Sequence, residues 1–261
     1  MFQSPPARRS ALRAGLPFAL AALMAGPPAI VGAWVTSETS AAQVYSTVVG
    51  QRKQMTLGTR GVVSLNTATI LRVSETTGGY ACELERGEAL FEVPNSARPP
   101  LRVRAGPLWL ETKGSVFAIR VRDAKHVDVV VRDGAVQLSA AREATVVEGP
   151  QIAQISPSGI AVQPATDADL ARRLEWITGR ISFSGETLAE ATAEFNRYNE
   201  RKLVIADESI RDVTIGGRFQ YTDVESFLAA LVPIGVESQD GGTSPSGAPL
   251  VRLVAAGGPR R

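Results

Sequence analysis

Glu88 and Glu92 stand four apart in the string Gly87-Glu88-Ala89-Leu90-Phe91-Glu92-Val93. On a strand that spacing turns both carboxylates to one face, and a carboxylate pair is common equipment for acid–base chemistry. Such work requires one of the two to sit where its pKa is raised. The expectation is the plainer one, that both project from a solvated face. Asp123, His126 and Asp128 are neighbours in sequence, but their spacing crosses a turn and supplies no further ligand, so no metal site is expected. Cys82 lies in an apolar strand with no base or helix start nearby, which predicts a small core residue rather than a reactive thiol. Gly78-Gly79 and Gly216-Gly217 lack the lysine and strand–loop–helix setting of a phosphate cradle and read as turns. No catalytic residue and no cofactor emerges. An exported hydrolase would need His126 or a carboxylate pair in a cleft.

The elements around these residues are short strands. From Tyr45 to about Ile160, period-two alternation recurs at Val62–Leu65, Ile70–Val73, Ala81–Leu84, Ala89–Val93, Leu101–Val103, Leu108–Glu111, Val116–Val121, Val127–Val131 and Ala135–Ser139. Turn residues such as Asp133-Gly134 punctuate them. Residues 45–160 are therefore expected to be an all-β sandwich, roll or solenoid. Residues 156–169, with Pro157, Gly159 and Pro164, read as a linker.

Beyond it the period changes. Ile181–Phe183 is a strand, and Thr187-Leu188-Ala189-Glu190 is a capping box opening a helix whose Leu188, Ala191, Phe195 and Tyr198 share a face. After the Lys202–Ile205 strand the grammar repeats: Val213–Phe219, then Thr222-Asp223-Val224-Glu225 as a second box, then Val224, Phe227, Leu228 and Leu231 on one side. A last strand near Gly235–Ser238 or Leu250–Val254 completes an α+β module over 176–238, and 239–261 reads as a flexible tail. The fold class is mainly β with a C-terminal α+β module.

At the other end, Arg8, Arg9 and Arg13 in the basic segment 1–13 precede an uncharged apolar run over 14–35. A basic flank followed by such a run is an export signal or membrane anchor. Pro17 and Pro27-Pro28 interrupt its helix, and small residues at Val31-Gly32-Ala33 and Ser40-Ala41-Ala42 offer cleavage sites. Both outcomes place the chain after about Thr36 outside the cytoplasm. A net charge of +2 with scattered arginines gives no basis for a nucleic-acid surface.

The pieces together resemble the FecR family of iron-uptake regulators from about Tyr45 through Ser238. The resemblance rests on Thr47-x-x-Gly50, Leu65-Asn66-Thr67, Gly-Glu-Ala-x-Phe-Glu-Val, Pro100-Leu101-x-Val103, Gly114-Ser115-x-Phe117 and Val129-x-Val131 with Asp133-Gly134-x-Val136. Trp176, Gly179-Arg180-Ile181-x-Phe183, Leu188-Ala189-Glu190 and Phe195-Asn196-Arg197-Tyr198-Asn199 resemble the secretin/TonB short N-terminal domain. The resemblance implies a single-pass inner-membrane regulator with its bulk in the periplasm. It would be contacted by the signalling domain of a TonB-dependent outer-membrane transducer and would control an extracytoplasmic-function sigma factor. One departure stands out: only the residues before Ala14 could hold the family's cytoplasmic sigma-binding segment. A start upstream, a short form, or a sigma-binding function on another chain all fit. The alternative is an exported, envelope protein-binding module without direct sigma control.

For partner contact the candidates are Arg180, Arg197, Tyr198 and Arg218, because arginine and tyrosine combine contact area with directed hydrogen bonds. An exposed strand edge in the module would serve equally, by backbone pairing with a partner strand.

Overall fold

The structure, a computed structural model, describes residues 42–76, 79–95, 99–140 and 143–257. Arg8, Arg9 and Arg13, the apolar run 14–35 and Gly78 lie outside the described residues.

The β part contains β1 (Gln43–Ser46), β2 (Lys53–Thr56), β3 (Val62–Leu65), β4 (Ile70–Thr76), β5 (Gly79–Val93) and β6 (Leu101–Ala105). It continues with β7 (Leu108–Thr112), β8 (Ser115–Val121), β9 (Val127–Ala140), β10 (Glu143–Glu148), β11 (Gln151–Ser156) and β12 (Gly159–Pro164). Two of these strands are long, and each serves two layers. The first half of β5 pairs with β4 and β6, while its second half pairs with β3 and β8. Likewise β9 pairs first with β8 and β11, then with β7 and β10. The result is a two-layered arrangement with a shared core. Phe91 and Phe117 stack at its centre, ring centroids 5.0 Å apart, among Leu65, Leu84, Leu110 and Val129. Alternation produced this core directly, since Ala89, Phe91 and Val93 all turn inward.

Gly87 marks where β5 bends. Its φ is +88°, and a Cβ there would lie 2.3 Å from Thr69 Oγ1. That hydroxyl is already engaged with both the N–H and the C=O of Glu88 at 3.1 Å. Gly87→Ala is therefore expected to cost about 1–3 kcal/mol through backbone strain and displacement of Thr69. A shift in urea midpoint worth less than about 0.5 kcal/mol would show instead that the bend relaxes freely.

Cys82 is buried in this core, as expected, and burial pushes its thiol up to about 12. At pH 8 the native chain should resist alkylation by iodoacetamide and react only after denaturation. Native labelling at the rate of a free thiol would contradict the placement.

Residues 156–169 are not a linker. β12 pairs with β11 along its whole length, and α1 (Asp167–Leu174) starts at once. Thr166 caps α1 with Asp169 as the reciprocal partner, a capping box with aspartate in the position that glutamate holds in Thr187-x-x-Glu190.

The α+β module follows with β13 (Arg180–Thr187), α2 (Leu188–Tyr198), β14 (Lys202–Ile205), β15 (Thr214–Gln220), α3 (Val224–Leu231), β16 (Val236–Thr243) and β17 (Pro249–Ala255). The Thr187–Glu190 box at α2 forms as expected. At α3 the cap is Asp223, accepting from the Ser226 N–H, rather than Thr222. The tail expected from 239 onward is instead mostly strand: β16 and β17 form a hairpin, and β17 also pairs in parallel with β14. Gly, Ser and Pro between 241 and 249 supply its turn rather than disorder. Gly216-Gly217 is no turn either. It lies inside β15 opposite Ser184 and Phe183, where the Phe219 ring comes close enough that a Cβ on Gly217 would sit 3.0 Å from it.

Candidate functional site

The outer face of one β layer carries two parallel rows of side chains. Leu90 on β5, Ala118 on β8, Val130 on β9 and Ile152 on β11 are register partners in turn and make an apolar row across four strands. Two residues along, Glu88, Arg120, Asp128 and Gln154 make a polar row in the same order. The apolar row is buried, and it packs into the core of the α+β module with Leu170, Leu174, Trp176 and Phe195 rather than into the β core. Both faces of this layer are thus covered.

Glu88 consequently does not face water. It is only 6% exposed and accepts hydrogen bonds from Arg197 Nη2 at 2.8 Å and from Asn66 Nδ2 at 2.9 Å. The solvated face expected for Glu88 and Glu92 holds for neither in full, since Glu92 is half-buried. The reason is not local: the chain that covers Glu88 returns 109 residues later. Asn66 also donates to Tyr198 Oη at 2.8 Å, and Thr67 Oγ1 donates to the Arg197 carbonyl at 3.0 Å. On the other side of Arg197, Glu194 takes Nη1 at 2.5 Å and also pairs with Arg120 at 3.0 Å. The order Glu88, Arg197, Glu194, Arg120 is a run of alternating charge spanning the two modules.

Its electrostatics follow from burial and alternation. Burial would favour the neutral forms, but the guanidiniums of Arg197 and Arg120 hold Glu194 below the usual glutamate range. Arg197 is likewise desolvated, and Glu88 and Glu194 more than offset this, pushing its pKa higher still. Burial first, then the charge of Glu88, pushes the Tyr198 phenol up, so it serves here as a neutral hydrogen-bond acceptor. Buried charges so arranged are satisfied only as a set.

A second tie lies at Arg52, between β1 and β2. It donates to the carbonyls of Trp176 (3.0 Å) and Ile177, and its guanidinium lies 5.6 Å from the Tyr221 ring. Tyr221 stacks on Tyr198 with centroids 4.4 Å apart. Gly50 fits against the same corner, where a Cβ would meet the Tyr198 carbonyl at 2.9 Å.

Of the four partner-contact candidates, the structure separates two pairs. Arg197 and Tyr198 are turned inward, Tyr198 being only 2% exposed, and they join the modules of this chain to each other. Arg180 and Arg218 are exposed on β13 and β15, with Arg218 paired to Glu175. Asn66, Arg120 and Glu194 are functional candidates that sequence reasoning missed, and Glu88 was weighed there only as one of a carboxylate pair. One signal was available: Leu90, Val130 and Ile152 are apolar at outward positions, which strands with one wet face do not show.

The residues considered for chemistry fall apart. His126 bonds Asp123 on an exposed loop, while Asp128 pairs with Arg122. Among the described residues no group of three His, Cys, Asp or Glu side chains could hold a metal ion. None of the described helices is long and apolar enough to cross a membrane.

Residues 43–137 match the family model described as FecR protein. The chain carries a FecR domain. The match covers all of β5, β9 as far as Gln137, and the Asn66, Glu88 and Arg120 side of the junction. Two crystal structures of a candidate anti-sigma factor from Parabacteroides distasonis, at 1.65 and 2.50 Å resolution, share the fold. They superpose with TM-scores of 0.66 and 0.65 at 20% identity, over 82% of this chain and 99% and 100% of theirs. That share is larger than the FecR domain alone supplies, so the fold in common includes the α+β module. No curated protein matches the sequence.

Proposed function

We propose that this FecR-domain protein is a regulator that works by protein contact, receiving a signal on its two-module body and passing it to a sigma factor. The observation that carries the reading is the junction itself. It is built from buried alternating charge around Glu88 and Arg197, backed by an apolar row, rather than from an acid–base or nucleophilic set. A junction of this kind holds one arrangement firmly while that arrangement persists. It is destabilised sharply when a single member is withdrawn, which suits two-state control. The FecR match and the fold shared with a candidate anti-sigma factor support a sigma-factor role.

The finer reading has the signal coming from a TonB-dependent outer-membrane transducer and the output being iron- or siderophore-responsive transcription. It places the body in the periplasm behind the arginine-led apolar segment, as a single-pass inner-membrane protein. In this reading the α+β module acts as a secretin/TonB short N-terminal-like domain, with Arg180 and Arg218 on its accessible face.

The test is a transcript comparison in the native host among wild type, a deletion strain and Glu88→Arg, with protein levels checked by blot. The expected result is one small regulon, enriched in iron uptake, that responds in the deletion and is uncoupled from its inducer by Glu88→Arg. Unchanged transcripts in both strains, with normal protein levels, would sink the regulator reading. They would leave an envelope binding module without sigma control.

A further inference from the structure

Strand β15 has β13 on one side and, among the described residues, no strand on the other. An open edge invites pairing with another chain, and strands that avoid it carry a guard. Elsewhere in this chain the open edges are guarded. β1, β2 and β14 are only four residues long, β10 and β16 carry glutamates, β12 ends in Pro164, and β13 is bulged between Ser184 and Glu186. β15 has none of these devices. It pairs without interruption from Thr214 to Gln220, and its one charge, Arg218, is drawn to Glu175.

At the middle of β15, Gly216 and Gly217 leave the backbone itself exposed. Gly217 has its reason inside the chain, with φ at +136° and the Phe219 ring close by. Gly216 has no such reason. Its φ is not positive, and a Cβ there would meet nothing within 4 Å. A bare strand position facing open space is suited to the close approach of another backbone.

The strand that β15 fits is a second β15. Two copies related by a two-fold axis pair antiparallel, and directly opposed residues must share a face, so the axis passes through a residue. Centred on Gly217, the whole of Thr214–Gln220 pairs: Ile215 meets Phe219 of the second copy, and Arg218 meets its Gly216. Centred on Arg218, two guanidiniums would stand opposed; centred on Gly216, Phe219 and Gln220 would lose their partners.

We propose that β15 is a self-association edge, through which two copies of this chain pair antiparallel about Gly217 and join their two-stranded β13–β15 sheets into one. Gly216 is bare because Arg218 of the second copy lies across from it. The pairing rests on the edge alone, so it does not depend on the sigma-factor reading.

Sedimentation equilibrium of the purified full chain tests it, from about 1 µM to about 1 mM, in a non-ionic detergent that keeps the apolar run 14–35 from associating. The expected result is a reversible monomer–dimer equilibrium within that range, since one strand contact is smaller than a standard interface. Gly216→Arg sets like charges opposite each other at two symmetric places and should weaken the dimer about tenfold. Gly216→Glu sets opposite charges there and should strengthen it by a similar factor. Both side chains start in open space, so melting curves at about 1 µM should match wild type. A chain that stays monomeric through about 1 mM would overturn the proposal and leave the β15 edge to a strand of another protein. A dimer indifferent to the sign of the charge at position 216 would overturn β15 as its surface.

Discussion

Arg197→Met should remove about 3–5 kcal/mol of stability, the largest loss expected of any arginine among the described residues, because it leaves Glu88 without an ion-pair partner and takes one of two from Glu194. Glu88 and Glu194 keep side-chain exposures of only 8% and 22%, so solvent does little to replace the lost guanidinium. Urea denaturation followed by circular dichroism measures the effect. The diagnostic comparison is the double variant Glu88→Gln/Arg197→Met. With the unpaired Glu88 charge gone it should be more stable than Arg197→Met alone, an inversion that only direct coupling produces. A single variant that loses less than about 1 kcal/mol would mean the charged run is ornamental.

The same set fixes a pH dependence. Glu194 has a folded pKa below its ordinary value, so its contribution is fully present above that ordinary value of 4.5. It is lost as pH falls through the depressed folded value. Wild type should therefore weaken below about pH 4.5 more steeply than Arg197→Met, in which Glu194 has lost its first partner. Parallel acid profiles for the two proteins would contradict this assignment.

Phe195→Ala is the second large effect, about 3–5 kcal/mol, and it should be confined to one module. The Phe195 ring is fully buried, with its centroid 4.1 Å from that of Phe227, 5.8 Å from Phe219 and 6.1 Å from Phe183. The β core around Phe91 and Phe117 is a separate cluster that shares none of these residues. Unfolding of the variant should thus split: hydrogen exchange rises across α2, α3 and β13 to β17 while β5 and β9 stay protected. A single cooperative transition at the wild-type midpoint would show that the ring cluster contributes little.

How much of this was legible in the chain depends on distance along it. Alternation around Phe91, Phe117 and Val129 is a nearest-neighbour signal, and it located the β core. The Thr187–Glu190 box and the Leu188, Ala191, Phe195, Tyr198 face are similarly local, and they located α2. What failed was either disguised or remote. Thr166 with Asp169 opens α1 behind Pro164, whose presence argued for a linker, though proline is tolerated at the end of the edge strand β12. The Gly- and Ser-rich stretch before Leu250 is a turn only because Val251 and Leu253 beyond it are buried against β14. Glu88 could not be placed at all without Arg197, and sequence order offers no hint that the two meet. Tyr198 was correctly set on the inward helix face, yet its hydroxyl is spent on Asn66 rather than on a visiting protein.

The two bent strands have a mechanical consequence. β5 is one continuous strand from the docking face, through its bend at Gly87, to the opposite layer, where it pairs with β4, and β4 in turn holds β1. β1 is four residues long, mostly exposed, and fastened chiefly by its backbone ladder from Gln43 to Ser46. Traction arriving along the chain ahead of Gln43 therefore meets a short fastener mounted on a stiff beam. The fastener peels before the beam flexes, so tension would shed the first strand and leave the junction at Glu88 and Arg197 closed.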